Sequence, residues 1–401
     1  MRIINISGQE DIRRVMHAMG VDRYGVEIMA PKAQLYLVRM DSLPCVCANI
    51  LKQEMLSLGA DAAVSRDALT GKVKKTDCLL IGTLSQFTRL NEKIRQQPFG
   101  LDLLGRKLSL LISDYQHSLF TLRLRRYTLN LGMRSHIMGI VNLTPDSFSQ
   151  DGLYIDADPG RNLSGIIRFV RGLVEDGADI IDIGAESSRP GAKPVSAKEE
   201  IKRIMPALKL IIKKFKVPVS VDTYKPQVVE QALDNGADLI NDITGLKDLR
   251  TAKLIARYKA GVVIMHMKGN PRNMQQKTSY DSLIDDIIEY LRKRIDTALS
   301  CGISKNRIII DPGLGFAKAA GDNLKILNNL SEFKILGEPI LVGPSRKSFL
   351  GKILNAPVQE RLLGTVSACI LALRNGAHIV RVHDVRQLKQ ALQVADSINK
   401  A

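Results

Sequence analysis

The sequence predicts an α/β protein, a (β/α)8 TIM barrel preceded by a smaller N-terminal α+β domain. Three observations carry that expectation. From about residue 136 onward, eight short apolar runs alternate with amphipathic stretches. A glycine stands close behind four of the five clearest helical stripes. Every apolar run is followed, at once or within three residues, by a notable polar side chain.

The runs are Ile137–Val141, Ile180–Ile183, Val217–Val221, Leu239–Ile240, Val262–Met265, Ile308–Ile310, Ile340–Val342 and Ile379–Val382. Runs this short and this rich in β-branched residues suit strands buried on both faces, as in parallel sheets. The helical stripes are Ile166–Glu175, Glu199–Lys214, Pro226–Asn235, Tyr280–Ser300 and Arg361–Asn375. Gly177, Gly236, Gly302 and Gly376 sit where helix C-caps belong. Eight strand–helix repeats over roughly 265 residues match the size of a TIM barrel. An open doubly wound sheet is the competing architecture. It normally carries a Gly-rich first turn, and no GxGxxG follows Val141.

The polar residues behind the runs are Asn142, Glu186, Asp222, Asn241-Asp242, His266, Asp311, Ser345-Arg346-Lys347 and His383-Asp384. In a (β/α)8 barrel these positions form the C-terminal mouth, where active sites lie. The barrel domain therefore spans 134–401. Residues 1–130 read as a small α+β domain of unassigned role. Arg2–Ile6, Ala33–Val38 and Cys78–Ile81 look like its strands, and Leu84–Arg95 like a helix. Asp41-Ser42 suits the cap of another helix running to Leu58. Leu122–Leu131 either pairs with the barrel entrance or links the domains. The lack of site motifs in this domain suggests oligomerisation or regulation.

Composition narrows the function classes. Aromatic residues make up 4% of the 401 residues and Trp is absent, which excludes an aromatic platform for single-stranded nucleic acid. The net charge of +17 divides into +7 over residues 1–133 and +10 over 134–401, so no basic tail points to nucleic acid. It suits a solvated basic surface or an anionic small substrate. The five cysteines form no CxxC pair, leaving neither a zinc site nor a disulfide framework. With no apolar leader at the N-terminus and no long apolar run, a cytoplasmic protein without membrane contact is expected.

Several mouth segments carry chemistry, and each admits a plainer reading. In IMGIVNLTPDSFSQDG (137–152), the Asn142 amide oxygen could hold Mg²⁺, a hard cation; Pro145-Asp146-Ser147 equally suit a simple turn. In 177–192, Ser188-Arg189-Pro190-Gly191 make a loop with a cation for oxygen anions, or a surface loop. Asp222, Asn241 and Asp311 at buried strand ends offer acceptors and an amide, suited to a flat heterocycle with several N–H donors, or are buried structural groups. Ser345-Arg346-Lys347-Ser348 reads as the start of a helix, where backbone N–H groups and cations bind anions. Arg381 and His383 follow the eighth run, and loops seven and eight are the usual phosphate site of this fold. A satisfied structural histidine is the alternative for His383.

The ordered set NLTPDSFSQDG, ESSRPG, SVDTYKP, LINDITG, VIMHMKGNP, IDPGLGF, VGPSRKS and RVHDV resembles dihydropteroate synthase over roughly 136–400. That family joins a pterin diphosphate to p-aminobenzoate and releases pyrophosphate. The resemblance implies a homodimer with small-molecule substrates and Mg²⁺ on Asn142. It implies Arg381 and His383 on the diphosphate, and Asp222, Asn241, Asp311, Lys347 and Met265 around the pterin. Ser348 would take the aminobenzoate carboxylate, with Phe148, Pro190 and Phe316 walling its ring and Ser188-Arg189 in a loop closing over it. Asp311, Lys347, Arg381 and His383 are the catalytic candidates. Ala185 and Ser188 replace the family's usual Gly and Thr, and Ser149-Gln150-Asp151-Gly152 its Ser-Asp-Gly-Gly. A barrel transferring a pterin-borne methyl group would keep the Asp and Asn contacts but would not need both anion sites. A non-catalytic pterin-binding relative would not need the complete residue set.

Overall fold

The computed structural model describes residues 1–4, 6, 8–144, 163–187, 194–269, 274 and 278–400. The chain divides into two compact units, Met1–Ser113 and Asp114–Ala401.

In the first unit, β1 (Leu35–Pro44), β2 (Asp61–Val64) and β3 (Lys75–Thr83) form an antiparallel sheet ordered β1-β3-β2. Its helices are α1 (Gln9–Ala18), α2 (Arg23–Met29), α3 (Cys45–Ser57), α4 (Arg66–Thr70), α5 (Leu84–Ile94) and the start of α6 (Leu101–Gln116). Thr83 and Gln86 close a reciprocal capping box on α5. Two expectations fail here. Arg2–Ile6 forms no strand among its described residues, and Ile3 lies fully exposed. Asp41-Ser42 does not cap a helix. It sits in β1, where the register shifts between Met40 and Leu43 and Ser42 takes a φ of 56°; α3 begins only after Pro44.

The second unit opens with an antiparallel hairpin, β4 (Phe120–Arg123) and β5 (Thr128–Leu131). The hairpin belongs to the barrel unit, so the boundary falls at Ser113/Asp114, ahead of the expected 130. Eight parallel strands follow: β6 (His136–Asn142), β7 (Ile180–Gly184), β8 (Val219–Asp222), β9 (Leu239–Asp242), β10 (Gly261–Met265), β11 (Ile308–Asp311), β12 (Leu341–Val342) and β13 (Ile379–Val382). They pair in the order β11-β10-β9-β8-β7-β6-β13-β12. A parallel bridge from Ile310 to Ile340 joins the two ends and closes the barrel.

Helices separate the strands: α7 (Leu163–Glu175), α8 (Ala197–Lys214), α9 (Pro226–Asp234), α10 (Leu249–Tyr258), α11 (Leu283–Ser300), α12 (Ala320–Asn328), α13 (Ser348–Leu354), α14 (Leu362–Arg374) and α15 (Val385–Lys400). Ser196 caps α8 by accepting from Glu199 N–H, with Glu199 and Glu200 in the first turn and Lys213 and Lys214 in the last. Both charge placements complement the helix dipole. Gly177 ends α7 at a φ of 99°, and Ala178 N–H returns to Leu173 O at 2.9 Å. The same cap recurs at Gly236, Gly302 and Gly376.

Alternation along each strand sorts the barrel into levels. Ile181, Ile183, Val219, Val221, Ile264, Ile310 and Val380 face outward into the helix layer. Met138, Ile180, Leu239, Val263, Ile309, Leu341 and Ile379 face inward and cluster with Leu122, Leu124 and Leu131 of the hairpin. The hairpin thus plugs the N-terminal end of the barrel. Arg126 clamps it there, donating to both oxygens of Asp238 at 2.9 and 2.6 Å. Two residues beyond the floor, the period of a strand puts Asp182, Asn241, Met265, Asp311 and Arg381 on the same inner face.

Among the described residues no helix is long and apolar enough to cross a membrane. All five cysteines are free thiols.

Asp238 is fully buried and also accepts from Val219 N–H at 3.0 Å. Asp238→Ala strands that donor and the Arg126 guanidinium, and should cost about 2–4 kcal/mol in urea unfolding. A loss near zero would show that the clamp does not hold the plug.

Candidate active site

The inner faces of β7, β8, β9, β11 and β13 converge on Arg381. Its Nε donates to Asp182 Oδ2 at 2.6 Å and its Nη2 to Asp222 Oδ2 at 2.9 Å. Asn241 Nδ2 reaches the same Asp182 oxygen at 3.3 Å. The Asp182 side chain is fully buried. Burial also raises the Asp222 carboxyl, against the pull of Arg381 and with the push of Asp182, Glu200 and Asp242.

Asp311 ends β11 and accepts from Gly313 N–H at 2.7 Å. Burial raises its carboxyl, while that N–H, Lys347 and Lys318 pull it down. Lys347 Nζ lies 4.2 Å over the Phe316 ring and donates to Leu314 O. Burial lowers this ammonium to about 8 although Asp311 opposes the shift. Met265 packs with Ile243, Met267, Met274, Phe316 and Ala317 into an apolar wall beside it.

A second cluster lies toward the mouth. His383 Nδ1 is 2.9 Å from Ser345 Oγ, and His383 Nε2 is 3.3 Å from Asn142 Nδ2. The tautomer protonated at Nδ1 satisfies both contacts, donating to the hydroxyl and accepting from the amide. Arg346 Nε and Nη2 grip Asp384 at 3.1 and 2.6 Å, which ties the loops after β12 and β13 together. Arg346 itself takes a φ of 57°. The helix expected from Ser345 begins instead at Ser348, because this left-handed residue turns the chain first.

The expected residues thus fall into two neighbouring groups. Asp222, Asn241, Asp311, Lys347, Met265 and Phe316 line the barrel interior with Arg381, while Asn142 and His383 meet above. Arg381 is bonded inward to carboxylates, and Phe316 stacks on Lys347. Ser348 is exposed at the start of α13. Phe148, Ser188, Arg189 and Pro190 lie outside the described residues.

Sequence reading missed three groups. Asp182 sits inside the run Ile180–Ile183, and an acid within a buried strand is itself a signal for a buried partner. Lys318 is 4% exposed, with Nζ 2.9 Å from His266 Nδ1 and 3.0 Å from Phe316 O. Burial lowers that ammonium to about 7 and keeps His266 neutral. Lys225 bridges Glu186 and Glu200, and Tyr224 donates to Glu186 at 3.1 Å. Glu186, Glu200 and Tyr224 line a pocket that also includes Asp222 and Ile243.

A (β/α)8 barrel with cations and carboxylates meeting toward its C-terminal mouth has the arrangement of an enzyme with its site at that mouth. Residues 138–383 match the family described as pterin binding enzyme, and the chain belongs to that family. A dihydropteroate synthase from Synechocystis is 44% identical over 269 residues, covering 67% of this chain and 91% of its own. The dihydropteroate synthase structure of Xanthomonas albilineans with 4-aminobenzoic acid superposes with a TM-score of 0.63. It is 37% identical and covers 68% of this chain and 96% of its own. A Halobacterium salinarum protein named probable bifunctional folylpolyglutamate synthase/dihydropteroate synthase is 40% identical over 354 residues, covering 87% of this chain and 41% of its own. That alignment is longer than the barrel unit, so part of the N-terminal unit is shared as well.

Lys347 carries its charge below about pH 8 and loses it above. Affinity for a phosphorylated pterin, measured by calorimetry, should therefore weaken as pH rises through that value. Lys347→Arg should remove the alkaline loss, because a guanidinium stays protonated. An alkaline loss retained in the Arg variant would assign it to another group.

Proposed function

We propose that the chain is a dihydropteroate synthase, joining 6-hydroxymethyl-7,8-dihydropterin diphosphate to p-aminobenzoate with release of pyrophosphate. The observation that carries this reading is the stacking of two sites. A carboxylate–amide–cation pocket deep in the barrel lies next to the Asn142–His383–Ser345 cluster at its mouth. Asp222, Asn241 and Asp311 supply acceptors and an amide for the edge of the pterin. Lys347 holds its charge beside Asp311, and Met265 and Phe316 form an apolar wall.

Cleavage of the C–O bond at the pterin methylene places negative charge on the departing diphosphate. His383 and Arg381 stabilise that charge in a partly desolvated site. Asp311 supports the positive charge that spreads into the ring. The aminobenzoate amine is neutral at pH 7 and attacks without prior deprotonation, so alignment contributes more than a general base. Ser348 takes the aminobenzoate carboxylate.

A divalent cation fits this donor set in one way. Among the described residues no three His, Cys, Asp or Glu side chains group into a metal cage. Mg²⁺ commonly takes one or two protein oxygens plus substrate phosphates and waters. The Asn142 amide oxygen is such a donor, and Mg²⁺ held there would neutralise the diphosphate. Two protomers per assembly, in the cytoplasm, complete the reading; light scattering of the purified chain checks the first.

Purified protein given Mg²⁺, the pterin diphosphate and p-aminobenzoate should release pyrophosphate in step with dihydropteroate. Pterin binding without release would leave a binding protein. Asp311→Ala and Lys347→Ala should each weaken pterin binding by about tenfold or more, the scale of one charge-assisted hydrogen bond. Wild-type affinity in both would place the pterin elsewhere.

A further inference from the structure

Asp182 is absent from the set of residues that the motifs single out, yet it touches two residues that belong to it. One of its oxygens, Oδ2, accepts from Arg381 Nε at 2.6 Å and from Asn241 Nδ2 at 3.3 Å. The other, Oδ1, is buried and has no hydrogen-bond partner. A carboxylate kept only to stabilise the barrel would be expected to satisfy both oxygens, because a bare buried acceptor costs about 1–3 kcal/mol. The residue two positions earlier, Ile180, packs in the barrel floor. Period-two alternation therefore points Asp182 into the cavity above that floor.

The Arg381 side chain has two anchors with different characters. Asp222, at 18% side-chain exposure, faces the pocket shared with Glu186, Thr223 and Tyr224. Asp182 is sealed at 0%. Holding Nε fixes the plane of the guanidinium, whereas holding a terminal nitrogen alone would let it swing. The same oxygen fixes the Asn241 amide, so one atom sets the orientation of a cation and of an amide on opposite sides of the barrel.

We infer that Asp182 is a positioning residue for pterin recognition: Oδ2 locks Arg381 and Asn241 in place for the bound heterocycle. This rests on the synthase reading above, since it takes the occupant of the cavity to be a pterin.

Asp182→Asn keeps the shape, removes the charge and replaces one acceptor by a donor. In the full-length enzyme the KM for the pterin diphosphate should rise about ten- to a hundredfold, the scale of one charge-assisted hydrogen bond. The KM for p-aminobenzoate should stay within about twofold, since Arg381 and Asn241, the partners of Asp182, are not among the residues proposed to hold it. The pH profile supplies a readout that a purely structural role would not move. Asp222 faces Arg381 on β13, Asp182 on β7, Glu200 on α8 and Asp242 on β9, and Lys347 feels its charge from the loop after β12. Removing the like charge of Asp182 makes Asp222 easier to ionise. The acidic limb of kcat/KM for the pterin should therefore move to lower pH.

A second test is independent of how well that variant folds. Arg381→Lys keeps the charge but cannot hold two carboxylates in one plane. Its penalty on pterin KM should overlap that of Asp182→Asn, so the double variant should be little worse than either single one. Unchanged pterin KM and an unmoved acidic limb in Asp182→Asn overturn the inference, as do fully additive penalties in the pair. Wild-type protein that releases no pyrophosphate would instead overturn the synthase reading.

Discussion

An arginine can occupy the centre of a barrel only if its charge is met there. Arg381 meets two carboxylates, Asp182 and Asp222, and the rest of the cavity follows from that pairing. Three acids and two cations (Asp182, Asp222, Asp311, Arg381 and Lys347) share a volume largely shut from water. The consequences show in their protonation. Burial raises Asp222 and Asp311 and lowers Lys347. Such a set is costly to assemble without a ligand, and it is suited to a substrate that carries donors, acceptors and negative charge at once.

The cost is borne by the floor beneath it. Seven inward residues from the strands and three leucines of the β4–β5 hairpin form a closed apolar plug. The plug excludes water from below and leaves the mouth as the open end. It also explains why the hairpin belongs to the barrel unit and not to the domain before it. One alternation serves both purposes. On β7, β9, β11 and β13 the floor residue and the site residue are two positions apart, so a slip of one residue would turn both outward.

Much of this was legible locally. All eight strands, the Gly caps at 177, 236, 302 and 376, and the placement of Asn142, Asp222, Asn241, Asp311 and His383 follow from periodicity and from residues at strand ends. These are short-range properties, since a strand repeats every two residues and a helix ends where a residue must take a positive φ. Where local reading failed, the deciding contact was remote or absent. Among the described residues of Arg2–Ile6 none pairs with a strand, so apolar residues there form none. A left-handed Arg346, tied to Asp384, delays the helix that Ser345 would start.

The order of apolar runs and polar ends along the chain was enough to specify a barrel and its mouth, and the motifs at those ends carried the resemblance to a family. Which polar groups meet inside was settled by closure. Arg381 finds its partners 199 and 159 residues earlier in the chain, on strands that only a complete barrel brings within 3 Å. No spacing in a linear sequence encodes that distance. It arises because eight parallel strands, each hiding one face in the helices, must turn the other toward a common axis.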